Sequence, residues 1–334
     1  MEAAARPSLS ILLVNYNGLA HLEECLSSIG SQSFKDFEVV MVDNGSKDAS
    51  IAFVRERFPW VKIVEAGANL GFAGGNNLGL KHCTGRDIFF LNNDTRLADG
   101  ALEALAQAIK EHPSIRVYAC FLVNYGDHTL VDSAGDSLYA MGPTFSFTRY
   151  PVAMFTQPRL VTSPCAGAAV YRRDLLNAIG AFDEDFFLNF EDLDLGFRAQ
   201  HAGEKILFLP QVRVYHKGSA TLGGKKSAVS TYYSEKNFAL FLIKNFPLVN
   251  LIRFLPALAF VKTARLISLT LHGGLYHYLR GNIACLRQIP LMLPKRRRIL
   301  ADSVLTSRQF DGLLRKNWFR ERLAWRRGRS DIPL

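Results

Sequence analysis

Through the first hundred residues, short apolar runs alternate with helix-forming stretches, and three of these runs end on Asn or Asp. Residues 9–14 run into Asn15-Tyr16-Asn17-Gly18. Residues 37–42 run into Asp43-Asn44-Gly45-Ser46, and residues 87–91 into Asn92-Asn93-Asp94. Helical patterns occupy 19–31 and the stretch up to 58, with a further short strand at 61–65. Runs apolar on nearly every residue suit strands buried on both faces, and strands alternating with helices define a mainly parallel α/β sheet. In such a sheet, ligands sit outside the carboxyl ends of the strands. Asn15, Asp43, Asn92 and Asp94 all fall at such ends, so they are expected to build one polar site.

Beyond residue 117 the pattern is less regular. Residues 117–170 carry short apolar runs broken by Gly, Pro and Asp, as in a meander or an antiparallel edge. Residues 165–173 read as a strand entering a helix at 174–179. Residues 192–202 read as a helix, 205–209 and 212–216 as two strands, and everything from 232 onward as helix. The chain has 334 residues, of which 49% are hydrophobic, enough for a large core and too apolar for a disordered chain. Five cysteines form no CxxC pair, which excludes a disulfide scaffold and fits a reducing cytosol. The N-terminus shows no basic-then-apolar leader.

Two clusters carry chemistry. In Asn189-Phe190-Glu191-Asp192-Leu193-Asp194 three acids occupy four positions. Like charges this close raise each other's pKa unless a cation offsets them, so the cluster suits a general base or a metal ligand. Asp94 at a strand end can bind a divalent cation that bridges diphosphate oxygens, or it can simply close the strand in an Asx turn. The Gly-rich stretch 69–79 is not a dinucleotide fingerprint, because it does not follow the first strand. It means either a close backbone approach to a phosphate or a sharp turn.

In order along the chain, Val14-Asn-Tyr-Asn17, Val42-Asp-Asn-Gly-Ser46, the 69–79 stretch, Leu91-Asn-Asn-Asp-Thr95 and residues 187–216 resemble the family 2 glycosyltransferases of GT-A fold. The resemblance is nearest to the bacterial rhamnosyltransferase-like branch and covers about residues 8–245. It implies an inverting hexosyltransferase, with a GT-A catalytic domain over 1–245 and a helical tail over 246–334. Asp43 would receive the nucleotide base beside Asn15, Tyr16 and Asn17, while Asn69, Gly74, Asn76 and Gly167 would line the substrate pocket. Asn92 and Asp94 occupy the family's Asp-x-Asp site, with Asn in place of the first Asp. Asp94 would hold Mg2+ or Mn2+ with His216, and Asn92 would lie near the ribose. Asp192 matches the catalytic base, with Glu191 its first rival and an acceptor contact. Asp194 is a substrate-side neighbour that can instead pair with Arg198. The donor would be a nucleotide-diphospho-sugar, dTDP-rhamnose by the branch. The acceptor would be a glycan or lipid-linked sugar in cell-surface polysaccharide synthesis.

The net charge of +10 is concentrated late in the chain, where residues 253–329 hold 17 Lys and Arg against 3 Asp and Glu. Within this tail the longest run free of charged residues is 266–279, short of the roughly 18–20 residues that cross a bilayer. A helix beginning after Pro256 would place Lys262, Arg265 and His272 on one side and Leu and Phe on much of the rest. With Lys295-Arg-Arg-Arg298 and the Trp-containing basic stretch 316–329, such helices suit an anionic membrane surface. The alternative is a helical subdomain with a solvated basic face. Long aliphatic runs among the cations argue against nucleic acid. The expected location is cytoplasmic, peripheral on the inner face of the cell membrane. A processive synthase would need several membrane spans, and a dehydrogenase a fingerprint at the first strand. A non-catalytic nucleotide-sugar or glycan-binding module stands as the competing reading.

Overall fold

The computed structural model describes residues 6–139, 144–145, 147–148, 150–218 and 227–315. The alternation read from the sequence appears as β1 (Leu9–Asn15), α1 (Leu19–Gly30), β2 (Phe37–Asp43), α2 (Ser50–Arg57), β3 (Val61–Glu65), α3 (Gly71–Leu80) and β4 (Asp87–Asn92). The four strands lie parallel in the order β4, β1, β2, β3. Successive side chains feed two cores on opposite faces, as the two-residue period of a strand requires. Ile11, Leu13, Val39, Met41, Phe89 and Leu91 join α1 and α2 on one face. Leu12, Val40, Val42, Ile88 and Phe90 join α3 on the other. That double burial is why the middles of β1, β2 and β4 are unbroken apolar runs, with polar residues only near their ends.

The irregular stretch resolves into β5 (Thr95–Leu97), α4 (Ala101–Glu111), β6 (Val117–Asn124), β7 (Val131–Ser133), β8 (Ser137–Tyr139), β9 (Thr144–Phe145) and β10 (Arg159–Val161). Then follow β11 (Ala168–Arg172), α5 (Arg173–Ile179), α6 (Glu191–His201) and β12 (Ile206–His216). β11 runs antiparallel between β4 and β6, making one mixed sheet in the order β10-β12-β6-β11-β4-β1-β2-β3. The two strands expected at 205–209 and 212–216 are one strand with a bulge between Leu209 and Arg213. Pro210 sits in that bulge, where a missing ladder N–H is tolerated.

The C-terminal part forms α7 (Ala228–Asn245), α8 (Leu248–His272), α9 (Leu275–Ala301) and α10 (Ser307–Leu313). Three expectations change here. Helix α8 does not begin after Pro256 but runs through it, starting directly after Pro247. Counting uncharged residues also understated its reach. Leu248–Leu271 has a mean hydropathy of 1.5 and is mostly exposed, and among the described residues it is one helix long and apolar enough to cross a membrane. Finally, the boundary expected at 245 runs through a core. Leu193 and Phe197 of α6, Phe241 of α7, Leu258 of α8, Cys285 and Met292 of α9 and Phe310 of α10 form one buried apolar cluster.

Several tail cations also face inward. Glu235 of α7 receives Lys262 at 2.8 Å and pairs with Arg265. Lys295 meets Asp183 at 2.5 Å and Asp185 at 2.7 Å. The stretch 316–329 lies outside the described residues.

Candidate active site

A cleft of about 540 Å³ opens at the carboxyl ends of β1, β2 and β4. At one end the strand-end polar residues bond to one another. Asn15 is fully buried; its Nδ2 donates to Asp43 Oδ1 at 3.3 Å and to Ser46 Oγ at 3.2 Å. Asn93 Nδ2 donates to Asn15 Oδ1 at 2.7 Å, which ties β4 to β1. The Ser46 amide donates to Asp43 Oδ2 at 3.0 Å, and the Lys47 amide to Asn17 Oδ1 at 2.7 Å. Tyr16, Asn44, Asn69 and Asn92 line the cleft, whereas Asn15, Asn17 and Asp43 stand behind it and fix the loops. Asn44 was not singled out from the sequence. Its Nδ2 donates to Asn69 Oδ1 and to the Gly71 carbonyl, and so shapes the Gly-rich turn.

That turn requires glycine at Gly71, where φ is +73° and a Cβ would lie 2.5 Å from the Phe187 carbonyl. Gly74 and Asn76, expected in the pocket, belong to the packing of α3 instead. A Cβ on Gly74 would meet Leu70 at 2.9 Å, and Asn76 Nδ2 donates back to the Phe72 carbonyl. Gly167 does line the cleft, with Asn92 Nδ2 3.4 Å from where its Cβ would stand.

The pairing of β5 with β12 sets His216 opposite Thr95, beside Asp94. His216 Nε2 is 3.2 Å from Asp94 Oδ1 and 3.3 Å from Asn92 Nδ2. Its other ring nitrogen, Nδ1, is 2.7 Å from Asp132 Oδ2. Burial alone would lower the His216 pKa, but bonds to Asp132 and Asp94 reverse this and raise it to about 9. Burial likewise pushes Asp94 up, and the His216 hydrogen bond and charge more than offset it, leaving Asp94 below its usual value. A buried carboxylate and an imidazole, with an Asn side chain beside them, form an oxygen and nitrogen donor set that suits Mg2+ or Mn2+. Asp132 on the far nitrogen stands where the outer partner that fixes a ligating histidine's tautomer is usually found. Nothing in the sequence singled out Asp132, because β7 is too short to show periodicity.

The third wall is the start of α6. Phe187, Asn189 and Phe190 all have positive φ, and Phe190 is the helix N-cap at φ 72°. Asn237 of α7 holds this strained loop by donating to the carbonyls of Phe186, Leu188 and Asn189, at 2.7, 2.7 and 2.8 Å. Glu191 and Asp192 both line the cleft at the first turn of the helix, where the dipole favours a negative charge. Burial raises both carboxyls above their ordinary pKa. Asp192 is the better anion, since its oxygens accept from the Leu193 amide at 2.7 Å and the Ala166 amide at 3.4 Å. Glu191 is pushed well up, by burial and then by the Asp192 charge, and its Oε2 has no partner. Asp136, Cys165 and Asp192 bring their ligand atoms within 4.8 Å of one another. Burial drives the Cys165 thiol well above its usual pKa, so it stays neutral and is a poor ligand for a hard cation.

Asp194, expected beside the substrate, does not line the cleft. It is fully buried and accepts from Arg198 Nε at 2.8 Å, Lys244 Nζ at 2.8 Å and Asn245 Nδ2 at 2.9 Å. Helical geometry explains the split, because residues two apart point to different sides.

A mainly parallel sheet with strand-end carboxylates and a cleft between them defines a GT-A nucleotide-diphospho-sugar transferase fold. The profile of glycosyl transferase family 2 matches residues 10–180, and the chain belongs to that family. The matched region holds Asp94 but neither Asp192 nor His216. The chain is 26% identical over 240 residues to the N-acetylglucosaminyl-diphospho-decaprenol L-rhamnosyltransferase of Mycobacterium tuberculosis, covering 64% of this chain and 78% of that one. It is 25% identical over 236 residues to the GalNAc(5)-diNAcBac-PP-undecaprenol beta-1,3-glucosyltransferase of Campylobacter jejuni, covering 68% and 71%. Its fold is similar to a mannosyltransferase from Pyrobaculum calidifontis in complex with GDP-Man and Mn2+, with a TM-score of 0.53, 17% identity and coverage of 90% and 86%.

Proposed function

We infer that this glycosyltransferase moves a hexose, rhamnose from dTDP-rhamnose being favoured, from a nucleotide-diphosphate donor to a hydroxyl of a lipid-linked glycan, with inversion. The observation that carries the reading is the pairing of opposites across one cleft. Asp192 and Glu191 stand at a helix N-terminus, while Asp94 and His216 stand at the strand ends. Asp94 and His216 would hold Mg2+ or Mn2+, with Asn92 beside them and Asp132 orienting the imidazole. When bound, the divalent ion supplies neutralisation of charge on the leaving nucleoside diphosphate.

Asp192 takes the proton of the acceptor hydroxyl as that oxygen attacks the anomeric carbon from the face opposite the leaving group. A pKa held above the usual carboxylate range brings it nearer the operating pH, where a general base works best. Two backbone amides keep it the more acidic of the pair. Glu191, still protonated, donates to an acceptor oxygen. Environments that push two neighbouring carboxyls apart in this way divide acid from base roles. Tyr16, Asn44 and Asn69 wall the nucleotide end, and Asn15, Asn17 and Asp43 hold its loops.

Two relatives named for polyprenyl-diphosphate-linked acceptors support a lipid-linked substrate. The exposed apolar length of α8 supports a place on the inner face of the cell membrane. The test is a donor screen that reads nucleoside diphosphate release, with and without Mn2+ and a lipid-linked acceptor, with the product's anomeric configuration read by NMR. Asp192→Asn should abolish transfer and spare nucleotide binding. Retention of near-full activity would overturn the base assignment. A wild-type chain that binds nucleotide sugars without turning over any of them would favour the non-catalytic module.

A further inference from the structure

A second cleft, of about 490 Å³, lies between α7 and α9 and is lined by Tyr232, Tyr276, Leu279, Arg280, Ile283 and Arg287. Arg280 and Arg287 are seven residues apart on α9, two turns along one face and about 10 Å apart. Neither makes a hydrogen bond or ion pair among the described residues. Lys262, Arg265 and Lys295 of the same tail each meet a carboxylate. The Arg280 guanidinium lies 5.1 Å over the Tyr232 ring instead. Tyr276, Leu279 and Ile283 leave about half or more of their surface open to solvent.

A chain of aromatic contacts links this groove to the active-site cleft. Tyr232 meets Tyr233 edge-on at 5.0 Å, and Tyr233 stacks on Phe187 at 5.2 Å with their planes 16° apart. Phe187 lines the active-site cleft, as does Val229, which precedes Tyr232 by one turn on the same face of α7. Two cations without a carboxylate partner among the described residues thus stand in an aromatic and aliphatic groove whose Tyr232 lies one helical turn from Val229 of the active-site cleft.

We propose that this α7–α9 groove binds the polyprenyl-diphosphate anchor of the acceptor. Arg280 and Arg287 grip the diphosphate, and Tyr276, Leu279 and Ile283 contact the first isoprene units. The proposal rests on the lipid-linked acceptor inferred above. A diphosphate offers two anionic centres to two guanidiniums, and guanidinium forks suit phosphate oxygens. A single headgroup phosphate would leave one arginine unmatched. The aromatic ladder then carries the acceptor from its anchor toward Asp192, and the apolar face of α9 leads the chain on to α8. Binding energy from this remote part of the substrate would position the attacking hydroxyl.

The experiment measures binding of geranylgeranyl diphosphate to the full-length chain in neutral detergent micelles by titration calorimetry, so that no sugar transfer is needed. Arg280→Ala with Arg287→Ala should weaken binding about 100-fold, since a charge-assisted contact is worth roughly tenfold. Its affinity for nucleoside diphosphate should stay that of the wild type, which also reports an intact fold. Arg280→Lys with Arg287→Lys should fall between the two. Equal affinity of the wild type and the alanine pair would overturn the proposal, as would equal affinity of the wild type for geranylgeraniol and its diphosphate. Displacement of the diphosphate by phosphatidylglycerol vesicles would assign the arginines to a headgroup and overturn it too. A failure of the transfer reading shows separately, as no nucleoside diphosphate release from any donor.

Discussion

Asp192 and Asp194 are two residues apart, and their removal should have opposite consequences. Asp194→Ala takes a fully buried carboxylate from Arg198, Lys244 and Asn245. Breaking a buried charge pair by deleting one partner typically costs about 3–5 kcal/mol, because the remaining charge is left uncompensated. Lys244 keeps Asp183 at 2.6 Å, and Arg198 keeps the carbonyls of Ile179 and Gly180, both at 2.7 Å. The loss therefore belongs at the lower end, about 3 kcal/mol. In a domain stable by roughly 5–15 kcal/mol that is a large share, and over a chain of this length it lowers Tm by about 4 °C. Asp192→Asn should behave otherwise. Its carboxyl sits above its ordinary pKa because burial disfavours the charge, so a neutral amide relieves a cost. Urea unfolding followed by circular dichroism measures both. The variant at Asp194 should lose its stability while the one at Asp192 keeps it and loses turnover. Equal losses, or a loss at Asp194 under about 1 kcal/mol, as for an exposed pair, would refute the separation of roles.

Asp183 has its pKa brought down to about 2, burial being outweighed by Lys244 and Lys295. Its folded value is below the ordinary 3.8, so its stabilisation is complete above that pH and fades as pH falls toward 2; Lys244→Met should flatten the acid limb of an unfolding curve. Asp132→Ala should weaken Mn2+ binding about 10–100-fold by freeing the His216 ring, read by calorimetry with nucleoside diphosphate present. Because His216 without metal holds its proton to about pH 9, Mn2+ affinity of the wild type should rise with pH up to that value. A fragment ending at Asn245 loses the α9 and α10 side of the cluster around Phe197 and Phe241 and should aggregate. A soluble, cooperatively folding fragment would show that the tail is a separable unit.

The sheet and the strand-end polar residues were legible because their causes are local. An apolar run buried on both faces has one common reading, and an Asn or Asp closing it marks the site edge. Asp192 and Asp194 were harder, since neighbours on a helix diverge in space; what separates them is Lys244, fifty residues on. Asp132 was invisible for a related reason, as it meets His216 across 84 residues of chain. The tail was only partly legible because charge counts treat every cation as solvated, yet Lys262, Arg265 and Lys295 each turn toward a buried or half-buried carboxylate. The same counts ended the apolar stretch of α8 at residues that face α7.

The bulge in β12 has a consequence for how this site can be lost. Before it, Leu207 and Leu209 point into the core shared with α1; after it, Val212 and Val214 do. Odd positions give way to even ones across the irregularity, and His216 follows the even set. A strand that ran on from Leu209 in strict alternation, with the same residues and no bulge, would turn Val212, Val214 and the His216 imidazole to the other face of the sheet, with every candidate ligand still in the sequence. Aligned sequences would show the motif intact in such a chain, while its geometry would be gone. The proposed metal site would depend on the parity of a strand as well as on the identity of its residues.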